Sequence, residues 1–443
     1  MTYRLLPTAV GFALILNLQF AGISLGYLPE TALLITGALL VWKLWRRFGL
    51  HPVRAVSFLT CTRESGVFLW AASLFYLAVD LSGLIRADSL SLAWEKYRVT
   101  AALLIAAAAL CTCREEKNLF RICAAVSAAG GFLIAGGCVF NTLLFSFQPV
   151  EYTRRLSLRA DYNLFAAALL FFFLCAVFGA MCAGRPCLCF WTVCTGMLPV
   201  LWLAASRRVW ILLPAVLPTV GLSFLFVLRK RYGRRGVLKG LVCCAVAVIS
   251  VWFSVEGLSL WMKTYTDGGA PAGRMETAGT ATVEQRMESI ASSTVFTKRF
   301  VIWSIAAEEF ASYPPLQKLF GRGAFSDIRL YDDPRFDERL DAVYPVREER
   351  FKRLSAHSCL LADLLNGGIF KTLSLLVLIG AEMVACLKLL FKKPLLGLPL
   401  SIILGITLLN NLVSNRYGLL YDRWFWLGTA AAAAALAGKE DAS

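Results

Sequence analysis

The stretch SRRVWILLPAVLPTVGLSFLFVLRKRYGRRGVLK, residues 206–239, decides the fold. Arg207 and Arg208 open it, an uncharged and mostly apolar run fills 209–228, and Arg229, Lys230, Arg231, Arg234, Arg235 and Lys239 close it. About 20 apolar residues in a helix match the ~30 Å hydrocarbon core of a bilayer. A run of that length, bounded by charge at both ends, reads as a membrane span. Cytoplasmic loops carry the excess of Lys and Arg, so the dense basic cluster marks the cytoplasmic end. The arginine pair at the other end stands against that bias and asks for a reason.

The rest of the chain repeats the pattern. Its 443 residues are 58% hydrophobic, and the mean hydropathy is +0.65, beyond the usual range of a soluble domain. Further runs lie near 7–27, 29–45, 66–86, 99–113, 119–145, 162–182, 187–205, 237–257, 368–391, 395–413 and 417–438. The expected fold is therefore an all-α polytopic membrane protein with about twelve transmembrane helices. It divides into spans one to nine over 1–257, a polar loop or cap over 258–367, and spans ten to twelve over 368–443. Only Arg4 precedes the first run as a basic residue, and no small-residue cleavage site follows it, so that run is expected to remain as the first span.

The net charge of +16 invites a nucleic-acid reading. The basic residues are instead spread over the links between spans, as the positive-inside rule requires, so no nucleic-acid partner is expected. Most of the 14 cysteines, including Cys111, Cys113, Cys187, Cys189, Cys194, Cys243 and Cys244, fall within apolar runs, where they act as small hydrophobes. A disulfide framework and a zinc site are not expected. No Asp-x-Asp stands in the outer links, so a metal is not expected either, and no cofactor is implied.

Four basic links fall on one side: Lys43 to Arg63, Arg114 to Arg121, Arg229 to Lys239, and Lys388 to Lys393. That side is the cytoplasm, and both termini lie there. The opposite side holds the links 86–98, 147–161, 206–208 and 258–367. The last is too long for a structureless connection in a compact fold, so it is expected to form a cap. Within it, Met287, Ile290, Val295, Phe296, Phe300, Trp303, Ile305, Ala306 and Phe310 give an apolar stripe at helical spacing over 284–312, ended by Tyr313-Pro314-Pro315. Gly321-Arg322-Gly323 reads as a turn, and the charge-dense 326–353 as solvated. An amphipathic helix is expected from near Ser355 to Gly367-Gly368.

The chemistry-bearing residues cluster on the outer side. His357 stands where the cap re-enters the membrane. Two readings fit it: an interfacial histidine hydrogen-bonding a helix start, or a general base working near neutral pH. Arg207 and Arg208 are either snorkelling side chains at a helix end or ligands for an anion. Arg154, Arg155 and Arg159 share the outer link with Asp161, which can pair with one of them. Arg299 precedes Trp303 by one helical turn. Together these arginines suit a pyrophosphate, because guanidinium groups bind phosphate oxygens bidentately and stay charged. Asp80, Asp363, Glu382 and Asp422 are the acids inside or at the ends of spans. Asp363, six positions after His357, is a candidate for orienting it.

The order of these motifs resembles that of the bacterial O-antigen ligases and the related lipid-linked polysaccharide polymerases. The resemblance rests on Arg159 to Asn163 before a mid-chain span, Ser206-Arg207 opening a later one, and Arg299-x-x-x-Trp303 in the outer cap. It continues with Pro315 before Gly321-Arg322-Gly323, and with His357-Ser358 leading into a helix that reaches Gly367-Gly368. Arg208 and the doubled proline depart from the pattern. The resemblance implies a GT-C-like membrane glycosyltransferase in the bacterial inner membrane, with its active site on the periplasmic face. Its donor would be a glycan on undecaprenyl diphosphate, and its acceptor a hydroxyl of lipid A–core in lipopolysaccharide biosynthesis. It further implies that His357 activates the acceptor and that Arg207 and Arg299, with Arg159, hold the diphosphate. Arg208, Arg155, Asp161, Trp303 and Asp363 are secondary candidates. A polymerase joining lipid-linked repeat units is the nearest alternative, and a transporter of lipid-linked glycans the alternative from another class.

Overall fold

The computed structural model describes residues 28–49, 51, 53–55, 67–86, 119–144, 162–267, 294–341, 355–414, 419 and 422–437. Among them every regular element is a helix. In chain order these are α1 (Leu28–Phe48), α2 (Val67–Ser82) with a 3₁₀ turn Gly83–Arg86, α3 (Leu119–Leu144), α4 (Tyr162–Cys182), α5 (Pro186–Leu203) and α6 (Arg207–Asp267). There follow α7 (Thr294–Ser312), the short α8 (Pro315–Phe320), α9 (Ser326–Arg329) and α10 (Asp337–Asp341). The chain then forms α11 (Cys359–Lys392), α12 (Pro394–Ser414) and α13 (Arg423–Ala437). Val67–Ile85, Pro186–Leu203, Val209–Trp261 and Cys359–Lys392 are long and apolar enough to cross a membrane. Shorter apolar cores run through Ala128–Phe140, Phe165–Met181 and Leu400–Leu412. The expected runs near 7–27 and 99–113 lie outside the described residues.

The helices group into two compact units, Met1–Ile35 with Glu116–Ser292, and Thr36–Glu115 with Ser293–Ser443. In the first, α6 counts 61 residues. Its stretch Val209–Trp261, 53 residues, would be about 80 Å long if straight, far beyond one bilayer crossing. Gly233 resolves this with φ 63° and ψ −148°, outside the helical region. A Cβ on Gly236 would come within 2.3 Å of the Leu228 carbonyl oxygen, and one on Gly240 within 2.7 Å of the Leu225 side chain. The chain therefore doubles back as a helical hairpin, which matches the two spans read on either side of the 229–236 basic link. Arg231 in that link donates through Nη1 to the Ala183 carbonyl at 2.8 Å, joining it to the turn between α4 and α5. Phe190 of α5 stacks on Phe224 of α6 with centroids 4.0 Å apart.

The second unit joins α7–α10, the cap segment of the sequence reading, to α2, α11, α12 and α13, of which Val67–Ile85 and Cys359–Lys392 are long and apolar enough to cross a membrane. The cap helix α7 covers Thr294–Ser312 and stops before Pro314-Pro315, as the sequence predicts. Its apolar stripe packs Ile302, Ile305 and Ala306 against Tyr313, Leu330, Tyr331, Phe336 and Leu340. Here the structure corrects one expectation. The first half of the charge-dense 326–353 stretch is a folded part of the cap, with Asp327, Ile328, Leu330, Tyr331, Phe336 and Leu340 all buried. Short α and 3₁₀ turns collect four large apolar side chains that no single helical or strand period aligns.

The last helix before the membrane also differs from expectation. It starts at Cys359 rather than near Ser355, and it continues past the glycines. Gly368 interrupts it with φ 67° and ψ −162°, so the predicted end is present as a break between two helical segments.

Candidate functional site

The candidate site is the junction of cap and membrane helix around His357, built from α7, the glycine turn and the start of α11. The break at Gly368 frees the last carbonyls of the 359–367 segment, which then need donors. The turn supplies them. The Arg322 amide donates to the Leu365 carbonyl at 3.1 Å and the Gly323 amide to that of Asn366 at 3.0 Å, while the Ala324 amide reaches the Gly83 carbonyl at 3.1 Å. Gly321 has φ 69°, and a Cβ there would lie 2.3 Å from the Asn366 backbone. Only glycine permits that approach in that conformation. The Asn366 side chain completes the joint. Its Oδ1 accepts from Ser326 Oγ at 2.9 Å and from the Asp327 amide at 3.1 Å, and its Nδ2 donates to Asp327 Oδ1 at 2.8 Å.

On the far side of the same segment, α7 reaches the residue before His357. Trp303 donates through Nε1 to the Ala356 carbonyl at 3.0 Å, and its ring packs edge-on against Phe300 at 5.7 Å. Arg299, half-buried, stands one turn earlier on this helix. The backbone of His357 is left-handed, with φ 48°, and its amide donates to Ser355 Oγ at 3.3 Å. Such a conformation costs a non-glycine residue about 1–3 kcal/mol and concentrates at functional positions. Among the described residues only Ala205, Phe325 and His357 combine a side chain with positive φ. Ala205 lies in the turn just ahead of Ser206-Arg207, so two of the three mark segments that the sequence singles out.

A guanidinium–carboxylate group braces the cap beneath the turn. Glu309, 3% exposed, pairs with Arg322 and, at 2.9 Å, with Arg335. The Arg322 guanidinium also lies 4.2 Å from the centre of the Tyr313 ring. Burial pushes the Tyr313 hydroxyl up to about 12, against the opposing pull of Arg322. Arg335 hydrogen-bonds Asp333 through Nε and Nη2, which holds that carboxyl below its usual range.

A second polar group lies within the membrane helices, and the sequence reading missed its key member. Lys371, 7% exposed, is the only basic residue between His357 and Lys388. Its ammonium pairs with Asp80 of α2 and, at 3.0 Å, with Asp363 of α11. Tyr76 donates its hydroxyl to Asp363 at 2.7 Å. Asp363, a candidate for orienting His357, therefore turns to Tyr76 and Lys371. In the sequence Lys371 stands eight positions after Asp363, across the break at Gly368, so no regular helical spacing pairs them. Glu382, deeper in α11, accepts from Thr429 Oγ1 at 2.5 Å. Asp422 caps α13 by accepting from the Phe425 amide at 3.0 Å and also receives the Asn411 amide group.

The structure thus ties Trp303 to the residue before His357, with Arg299 one turn earlier on the same helix. Arg207 and Arg208 occupy the first turn of α6, and their side chains, like Arg154, Arg155, Arg159 and Asp161 as a whole, lie outside the described residues. No protein-family model and no curated protein matches the chain.

Proposed function

We infer that this protein is a membrane glycosyltransferase of the O-antigen ligase type, transferring a glycan from undecaprenyl diphosphate to a lipid A–core sugar hydroxyl at the periplasmic face. The observation that carries the reading is the hydrogen bond from Trp303 to the Ala356 carbonyl. It fastens the helix bearing Arg299 to the segment in which His357 takes a left-handed backbone. In the proposed site the Arg299 cation and the His357 imidazole serve the diphosphate and the acceptor hydroxyl of the same donor–acceptor pair.

In this reaction His357 takes the proton of the acceptor hydroxyl as that oxygen attacks the anomeric carbon. The bond from that carbon to the diphosphate breaks, and the electron pair leaves with the diphosphate. Arg299, with Arg207 and Arg159 from the sequence reading, stabilises the growing charge, which is where fixed positive groups lower the barrier most. A single displacement inverts the anomeric centre, and no metal is required by this scheme. General-base assistance contributes about 10²–10⁴-fold. The polymerase alternative differs only in the acceptor. The transporter alternative is favoured by one observation, the buried Asp80–Lys371–Asp363 group, since ionisable residues within spans often mark transport pathways.

Transfer in proteoliposomes with a defined lipid-linked donor and a lipid A–core acceptor, read by mass spectrometry, separates these readings. His357→Ala is expected to lose about 10²-fold or more in transfer while retaining donor. Arg299→Ala should weaken donor retention, and Arg299→Lys should restore it only in part, because an ammonium cannot form the bidentate contact. Unchanged transfer in His357→Ala removes the assignment.

A further inference from the structure

The cap helix α8 is inside out for a helix in water. Leu316, Leu319 and Phe320 fall on one face, and they are 71%, 47% and 45% exposed. Its polar residues Gln317 and Lys318 are the half-buried ones, and Gln317 Oε1 accepts from Arg322 Nε at 3.0 Å, towards the cap. An amphipathic surface helix in solvent turns the other way, apolar side inward.

The exposed face also does not stand alone. The Phe320 ring lies 6.2 Å from that of Phe370 in α11, and Phe370 lies 5.9 Å from Phe75 in α2. Phe75 and Phe370 are themselves exposed, on helices long and apolar enough to cross a membrane. One apolar surface therefore runs from two membrane helices onto a cap element. A scattered exposed leucine needs no explanation, but a contiguous patch of this kind marks a binding surface.

We propose that α8 is immersed in the outer leaflet, its Leu316–Leu319–Phe320 face in contact with phospholipid acyl chains. The continuity with the lipid-facing surface of α2 and α11 selects the bilayer as occupant. Apolar faces of interfacial helices settle about 5–10 Å into the headgroup–acyl boundary. The Gly321 turn, which follows α8 directly and donates to the end of the 359–367 segment, is thereby held at the membrane surface rather than above it. The inference is independent of the chemistry proposed for His357.

Site-specific photocrosslinking tests it. p-Benzoylphenylalanine is placed at Leu316, at Leu319 and, as a control in the charged part of the cap, at Glu338, which is also exposed. Each full-length variant is confirmed monodisperse in detergent, reconstituted into phosphatidylcholine–phosphatidylglycerol vesicles without donor lipid, irradiated and weighed by mass spectrometry. The expected result is a phospholipid adduct at 316 and 319 several-fold more abundant than at 338. Adducts no more abundant at 316 and 319 than at 338 overturn the proposal, as does a crosslink from these positions to a second copy of the chain.

Discussion

Lys371 serves two carboxylates at once, and this sets what its loss should cost. Asp80, Asp363 and Lys371 are 5%, 1% and 7% exposed, so neither acid has bulk water to fall back on. Removing one partner of a buried ion pair typically costs about 3–5 kcal/mol, because the other charge stays behind without compensation. Lys371→Met keeps the length and apolar character of the side chain and deletes only the ammonium. It should lower stability by about that amount, read as a fall in the unfolding midpoint in detergent. The triple variant Lys371→Met, Asp80→Asn, Asp363→Asn should recover much of the loss, since it removes all three charges together. A triple variant as unstable as the single one would show that shape rather than charge holds this seam. His357 presents the opposite case. Its constraint is in the backbone, at φ 48°, and no residue type or spacing in the sequence announces a left-handed histidine.

At the scale of the element, α7 reaches the segment of His357 through the hydrogen bond from Trp303 to the Ala356 carbonyl. Trp303→Phe keeps an aromatic ring against Phe300 but removes the donor to the Ala356 carbonyl. The net loss of stability should be about 0.5–1.5 kcal/mol. Because the bond positions the segment that carries His357, turnover should fall with little change in apparent donor affinity, and Trp303→Tyr should not restore it. Equal losses in turnover and donor affinity would sink the positioning role. The 3₁₀ turn Pro334–Phe336 offers a pH test. Arg335 holds the Asp333 carboxyl below its ordinary 3.8. The folded value is depressed, so the stabilisation is present above about pH 4 and disappears as pH falls through the folded value. Both partners are solvent-facing, at 29% and 59% exposure, which keeps the effect small. Hydrogen-exchange protection over 334–341, taken relative to the intrinsic rate of each amide at that pH, should therefore fall by about a few-fold between pH 5 and pH 3, and Asp333→Asn should flatten that response. How much of these elements the sequence reveals follows from the same physics. Long uncharged runs and the α7 stripe have one dominant period each, so their helices and ends are legible, down to the stop at Pro314-Pro315. The cap after Gly323 has none. Its core residues Leu330, Tyr331, Phe336 and Leu340 come from three short turns, and dense charge on their outer sides hides them. Lys371 went unread for a different reason: a lone lysine in an apolar run gains meaning only when the chain brings Asp80 beside it.

At the scale of the whole chain, the proposed reading is set by where charge meets the bilayer. It puts one membrane passage in the helical residues after Gly233 and another in the segment of α11 after Gly368. Two passages return a chain to the side it left, so on that reading the basic links 229–239 and 388–393 share one compartment and His357 faces the other. The charges agree: Arg229, Lys230, Arg231, Arg234, Arg235 and Lys239 match Lys388, Lys392 and Lys393 in sign, as links retained in the cytoplasm should. This gives a direct expectation for alkaline phosphatase fusions, which are active only when exported. A fusion after Asp341 should be active, and fusions after Lys239 and Lys393 should be inactive. The decisive comparison is within one pair. If the fusions after Lys239 and Asp341 behave alike, the segment between them does not cross. His357 would then lie on the cytoplasmic side, away from any acceptor in the outer compartment, and the proposed transfer would lose its location as well as its base.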